Sequence, residues 1–207
     1  MIHLASRAFY EKISNDLSRY ECILFEGVTW DKNGVGKPIY DWAAKNLGLV
    51  TQRDSLKFPE SAVKINIDMP GAEFRERLND LSVLYRVSFR MLRPLLWLTT
   101  KFPAGKNYMI HSMATKEARK YGECQTDMDE LIIKDRDNHI CGKLRIYIEK
   151  YFSTKEKLNT AIVFGANHMI SISHCLRELG FKPKTTKWFH LIELDDSENE
   201  EEILQPS

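Results

Sequence analysis

Three residues have the types and positions that acid–base or metal chemistry asks for: His168, Glu26 and His3. His168 closes the turn Gly165-Ala166-Asn167-His168, which follows the apolar run Thr160-Ala161-Ile162-Val163-Phe164. A short run without alternation suits a strand buried on both faces, and Gly165 lets the backbone turn sharply into a helix. Ligands of open α/β sheets bind beyond the carboxyl ends of the strands. A histidine there can serve as a general base or a metal ligand. Asn167 is placed to cap the new helix, whose free amides and partial positive charge lie beside His168. Glu26 ends a second apolar run, Cys22-Ile23-Leu24-Phe25, and is followed by Gly27. His3 stands just before the first helix, where a strand-to-helix junction would lie if a strand preceded it. Two histidines and a carboxylate at neighbouring strand ends would hold a divalent metal, or a base oriented by an acid.

Arg136 and Asp137 precede Ile140 by four and three positions, so both fall on or beside the apolar stripe of a long helix. Inward-facing charges need partners or a site to serve. Arg136 could neutralise Glu26 or hold an anionic substrate. Ordinary roles fit the same residues: a capping histidine, a loop glutamate paired with a lysine, a mobile terminal histidine, a structural ion pair at the sheet edge. His111, His139, His174 and His190 receive no role. His174 lies six positions from His168 and so points to another helix face, and His139 falls on the polar side of its helix with Lys143 and Lys150.

The elements that must position these groups can be read along the chain. Phe9, Ile13 and Leu17 recur at helical spacing, predicting an amphipathic helix that starts near Ser6. The run at 22–25 predicts a strand, the glycine-rich stretch 31–37 a loop, and Pro38 opens a short helix to Asn46 with Gly48 after it. Residues 63–68 alternate as a strand does. Met69-Pro70-Gly71 closes it, and a helix is expected from Ala72 to about Trp97, kinked or ended by Pro94. Residues 108–121 read as helical. A long helix is predicted over 127–151, with Ile133, Ile140, Leu144, Tyr147 and Tyr151 on one stripe. A strand at 160–164 and a helix at 168–179 follow, stopped at Gly180 with Pro183 beyond, and then a last strand over 187–194. Strands and helices in short succession give an α/β fold, a central sheet flanked by helices. Residues 1–194 form a single domain, with about 72–125 as a helix-rich insertion or cap.

The chain has 207 residues, 43% of them hydrophobic and 29% charged, an ordinary balance for a soluble domain with a real core. A formal net charge of +1 supplies no overall field for nucleic acid or an anionic membrane. Asp195-Asp196-Ser197-Glu198-Asn199-Glu200-Glu201-Glu202 repels itself and has nothing apolar to bury, so 195–207 is read as a disordered tail. Cys22, Cys124, Cys141 and Cys175 are widely spaced with no CxxC pair, which argues against a zinc knuckle and for reduced thiols in a cytoplasmic protein. No secretory signal is expected from the opening residues. The stretch 81–100 carries Arg86, Arg90, Arg93 and Pro94, too costly for a membrane span.

Several stretches, in order, resemble the TraB/PrgY/GumN family, bacterial relatives of the Tiki metalloproteases. His3-Leu4-Ala5-Ser6-Arg7-Ala8-Phe9-Tyr10 is similar to the first histidine motif and its helix, and Ile23-Leu24-Phe25-Glu26-Gly27-Val28 to the strand that carries the glutamate. The stretch 49–74, with Gln52, Asp54 and Asp68, resembles a conserved pattern of bacterial members. Asp135-Arg136-Asp137-Asn138 resembles the arginine motif, and Ile162-Val163-Phe164-Gly165-Ala166-Asn167-His168-Met169 the G-x-x-H motif. The likeness spans residues 1 to about 194. It is to an N-terminally shortened member: no glycine or strand precedes His3, and Ser6-Arg7 stands where an acidic residue is usual.

The resemblance implies an α/β fold shared with erythromycin-esterase-like and ChaN-like proteins, and metal-dependent peptide cleavage. Carried over by position, His3, Glu26 and His168 would hold Mn²⁺, Co²⁺ or Zn²⁺, with no nucleotide cofactor, and Glu26, His168 and Arg136 would be catalytic. Gly165, Asn167 and Asp137 would complete the binding site. The expected ligand is a small peptide or other small molecule, and a homo-oligomer is compatible with the sequence. Two other readings stay open. One is a non-catalytic protein whose crevice captures a peptide or small ligand, with Arg136 clamping a carboxylate. The other is a metal-free hydrolase with His168 as general base.

Overall fold

A computed structural model describes residues 4–27, 37–83, 87, 130–153 and 159–191. At its centre is a three-stranded parallel sheet. Its strands are β2 (Cys22–Phe25), β4 (Val63–Asn66) and β5 (Thr160–Val163), in the order β4-β2-β5. Cys22 pairs with Val63 on one side and with Thr160 on the other, and Phe25 pairs with Asn66 and Val163. All three strands therefore end level, and their carboxyl ends open on one edge. A separate antiparallel pair joins β1 (Leu4–Ala5) to β3 (Val50–Thr51). The fold is α/β, with helices around the sheet.

The apolar runs predicted as strands are buried on both faces, and the alternation of side chains sorts them into two cores. Cys22 and Leu24 of β2 pack with Ile140, Leu144 and Ile148 of α5 (Arg136–Ser153) and with Ile172 and Cys175 of α6 (Ala166–Glu178). Ile23, Ala161 and Val163 face the other way, onto Leu17 of α1 (Arg7–Leu17) and Ala62. The result is helix, sheet, helix, with β2 in the middle. Each wholly buried aliphatic side chain in these clusters contributes about 1.5–3 kcal/mol of transfer free energy.

Local signals account for most element ends. Ser6 accepts the Phe9 N–H at 3.2 Å and so caps α1. Gly48 after α2 (Lys37–Leu47) and Gly180 after α6 have φ of 67° and 89°, the left-handed values that end a helix and that glycine adopts without a Cβ penalty. A single turn, α3 (Gln52–Ser55), follows β3.

Other expectations require correction. The helix predicted from Ala72 to Trp97 is interrupted: α4 (Gly71–Asp80) ends where Leu81 is extended with ψ of 150°, Val83 and Val87 are helical again, and the other residues from 84 to 97 lie outside the described residues. Asn79, Asp80 and Ser82 bracket this break, and such side chains compete for backbone hydrogen bonds. The long helix over 127–151 has two parts: a π-helical turn, Glu130–Asp135, precedes α5, which ends at Ser153. No strand forms over 187–191. Phe189 and Leu191 pack against Ala5, Phe9 and Tyr10 while Trp188 and His190 are exposed, so the period of two reflects anchoring without a ladder. Most of the proposed 72–125 cap, the helix at 108–121, the loop at 31–36 and the acidic tail lie outside the described residues.

Candidate active site

The level ends of the parallel strands bring three polar side chains to one edge: Asp68 beyond β4, Glu26 beyond β2 and His168 beyond β5. Two neighbours in the first turn of α5 reach across to the outer pair. Successive helical residues diverge by about 100°, which allows Arg136 to turn to Asp68 while Asp137 turns to His168.

Asp137 Oδ1 lies 2.6 Å from His168 Nδ1, and Asp137 Oδ2 accepts the Ser171 hydroxyl at 2.5 Å. All three residues are buried. A carboxylate only accepts, so the contact assigns the ring proton to Nδ1 and leaves Nε2 of the neutral imidazole as an acceptor. Nε2 makes no hydrogen bond with a described residue. Phe164 meets the ring edge-on, with centroids 6.3 Å apart, and fixes its plane. Ser171 follows His168 by three positions on the same helix face, so α6 supplies the histidine and one of the two donors that hold its carboxylate.

Below this layer α5 and α6 continue into two thiols. Cys141 Sγ points to the Ser171 carbonyl and Cys175 Sγ to the Cys141 carbonyl, at 3.7 and 3.8 Å. Burial, reinforced by Cys175, pushes the Cys141 thiol up to about 12. The Cys141 thiol is therefore held in its protonated form, which is a poor nucleophile.

Glu26 extends the pairing of β2, its N–H donating to the Val163 carbonyl at 3.1 Å. Its Oε2 accepts the Gly165 N–H at 2.8 Å, beside the start of α6, where the helix favours negative charge. Its Oε1 is buried and has no hydrogen-bond partner. A buried carboxylate oxygen left without a donor is costly, so this atom is suited to a ligand that brings one, or to a cation.

The other side of the edge is saturated. Arg136 donates from Nε to Asp68 Oδ1 at 3.0 Å and from Nη2 to Oδ2 at 2.6 Å. Asp68 also accepts the N–H groups of Gly27 and Met69, at 3.0 and 2.7 Å. Asn66 ties the same loop by donating to the Gly27 carbonyl at 2.7 Å. The Asp68 side chain is 0% exposed, and its four donors fill its acceptor sites. Asp135, one position before Arg136, pairs with Arg77 of α4 at 2.8 Å. Asp135, Arg136 and Asp137 therefore reach three different elements from the junction of the π-helical turn with α5, the kind of junction often found at functional sites.

The residues named from sequence are distributed as follows. Glu26, Gly165 and His168 come together at the ends of β2 and β5, and Asp137 joins them through His168. Arg136 is nearby and is engaged by Asp68, the structural ion pair at the sheet edge that stood as an alternative to neutralising Glu26 or holding an anionic substrate. Asn167 does not cap α6: the cap position is Gly165, no side chain caps it, and Asn167 lies exposed inside the first turn. His3 lies outside the described residues, and β1 begins just after it. His139, expected on a polar face, is tucked towards α4, its Nδ1 3.8 Å from Glu73. Ser171 and Asp68 were not singled out as site residues. Their signals were a hydroxyl at i+3 from His168 and an aspartate at a strand end.

Among the described residues no group of three His, Cys, Asp or Glu side chains is arranged to hold a metal ion. Two donors of the expected set nevertheless fit a divalent cation. A carboxylate holds His168 Nδ1 and leaves Nε2 free of hydrogen bonds to described residues, as metal-binding histidines are commonly held, and Glu26 keeps a buried oxygen without a partner. Comparison with known proteins finds no matching family model, curated protein or solved structure.

Proposed function

We propose that this chain is a hydrolase of small peptides or comparable small ligands, with its reaction centre at His168 and Glu26. The observation that carries the reading is the Asp137–His168 contact, buried at the carboxyl end of a parallel sheet beside a carboxylate with an unpartnered oxygen. The resemblance to the TraB/PrgY/GumN family supports the same reaction class.

In this reading Asp137 holds the imidazole in the tautomer whose Nε2 takes a proton from water. It also stabilises the imidazolium that forms, and Ser171 keeps the carboxylate turned towards the ring. Glu26 fixes the start of α6 through Oε2, and Oε1 accepts a hydrogen bond from the attacking water or from the substrate. A divalent ion, if bound, would be held by His168, Glu26 and, by resemblance, His3, and would supply Lewis acidity at the attacked carbonyl. Arg136 sits beside the centre as a positioning residue that fixes the Asp68 loop next to Glu26.

Two measurements on the untagged protein test this. One is hydrolysis of a panel of short peptides. The other is metal content by mass spectrometry after exposure to Mn²⁺, Co²⁺ and Zn²⁺, for wild type and His168→Ala. Turnover lost in the variant supports the proposal, and stoichiometric metal lost with it adds the metal-dependent form. Peptide binding without turnover in the wild type would overturn it in favour of a non-catalytic binding protein.

A further inference from the structure

The near-neutral charge of the chain conceals a separation. Residues 181–191, Phe181-Lys182-Pro183-Lys184-Thr185-Thr186-Lys187-Trp188-Phe189-His190-Leu191, contain three lysines and no carboxylate, while the acids that offset them follow in 195–202. The segment is a strap pinned at both ends. At its start the Phe181 N–H donates to the Leu176 carbonyl at 2.9 Å, closing the turn after α6. At its end Leu191 accepts the Ser6 N–H at 3.1 Å, and Phe189 and Leu191 pack on α1 with Lys12 over the Phe189 ring. Between these anchors 181–188 are all exposed and in neither helix nor strand. Trp188 is 91% exposed, and Lys182, Lys184 and Lys187 form no ion pair with a described residue.

An indole held almost wholly in water beside ammonium groups that pair with no described residue is an unfavourable arrangement for a surface that meets nothing. Its chemistry is that of the membrane interface, where indole rings sit at headgroup level and lysines lie among phosphates. A single-stranded nucleic acid would use a concave basic groove with successive aromatic platforms. Here the basic segment is an exposed strap with one almost fully exposed aromatic, Trp188. We propose that the 181–191 strap docks this protein on the surface of an anionic lipid bilayer, with Trp188 entering the headgroup layer and Lys182, Lys184 and Lys187 facing lipid phosphates. The association is peripheral: among the described residues no helix is long and apolar enough to cross a membrane.

The test is co-sedimentation of the full-length chain with unilamellar vesicles, phosphatidylcholine alone or with one-third phosphatidylserine. Binding is expected only with phosphatidylserine and is lost in half-molar salt, because exposed charges are screened over a few ångströms there. Replacing Lys182, Lys184 and Lys187 together by Gln should lower partitioning about 100-fold, from about fivefold per lysine at an anionic surface. Trp188→Ala should lower it roughly tenfold through lost interfacial burial. Quenching of wild-type fluorescence by brominated lipid should fall in Trp188→Phe. All substituted side chains are exposed, and unchanged circular dichroism verifies folding. Equal binding to neutral vesicles, equal binding by the triple variant, or no vesicle binding by the wild type overturns the proposal. Binding of a single-stranded oligonucleotide that depends on the three lysines, without vesicle binding, overturns it in favour of nucleic acid.

Discussion

Asp68 and Asp137 stand on either side of Glu26, both buried and both held by residues of α5 or its neighbours, yet they differ in what they leave available. Asp68 takes four donors, two from the Arg136 guanidinium and two from backbone, which fill its acceptor sites. Asp137 takes two, and one of them is a titratable ring whose far nitrogen makes no hydrogen bond with a described residue. The same residue type at a similar depth is thus a fastener in one place and an orienting group in the other. Saturation of hydrogen bonds, more than burial or charge, separates the two uses.

That contrast can be broken by substitution. His168→Ala and Asp137→Asn should each lower turnover of a peptide substrate by about 10²–10⁴-fold, the usual contribution of a positioned acid–base group. In Asp137→Asn the amide can donate to Nδ1 and so favours the tautomer with its proton on Nε2. Steady-state kinetics should show the loss in kcat, with thermal melts indicating a folded protein. Arg136→Ala should do the reverse. It leaves the Asp68 carboxylate, 0% exposed, without its counter-ion and costs about 3–5 kcal/mol in denaturant unfolding, with residual folded protein keeping turnover to within about tenfold. A larger loss of turnover than of stability in Arg136→Ala would erase the distinction drawn between the two sides.

Smaller effects sharpen it. Ser171→Ala leaves Asp137 Oδ2 with one donor fewer and should cost about 1–3 kcal/mol, with rescue by Ser171→Thr if the hydroxyl alone matters. The weakest effect is alkaline. The Cys141 thiol ordinarily loses its proton near 9.0 and is pushed up to about 12, and burial moves the Tyr147 hydroxyl from 10.0 to about 12 as well. Between those values the folded state keeps protons that the unfolded chain has lost. This stabilisation is fully present below pH 9 and fades as pH rises towards 12. Melting temperature should therefore fall across that window, and Cys141→Ser should flatten the fall.

The sequence made the centre of the fold legible because β2 and β5 are buried on both faces and so read as unbroken apolar runs. Glycine and serine marked the ends of α1, α2 and α6 for backbone reasons that need no tertiary context. It failed where tertiary contacts set the outcome. The two-residue strands β1 and β3 are too short for any period to show. Alternation at 187–191 arose from two anchoring side chains on α1, and Asn167 was out of position to cap because the helix begins one residue before it. That Glu26 and His168 lie at neighbouring strand ends followed from the reading of two buried strands. The partnership of Asp137 with His168 did not, since it depends on how α5 is rotated against α6.

The separations along the chain set an order of assembly. Asp137 and His168 are 31 positions apart, and Arg136 and Asp68 are 68 apart, whereas Glu26 and Gly165 are 139 apart. Closing a loop costs entropy that rises with its length, and contacts distant in sequence form late. Asp137 and His168 meet across a short chain segment between neighbouring helices, whereas Glu26 joins them only through the pairing of β5 with β2 across nearly the whole domain. The edge that carries His168 and Glu26 is therefore closed by the longest-range pairing of the parallel sheet.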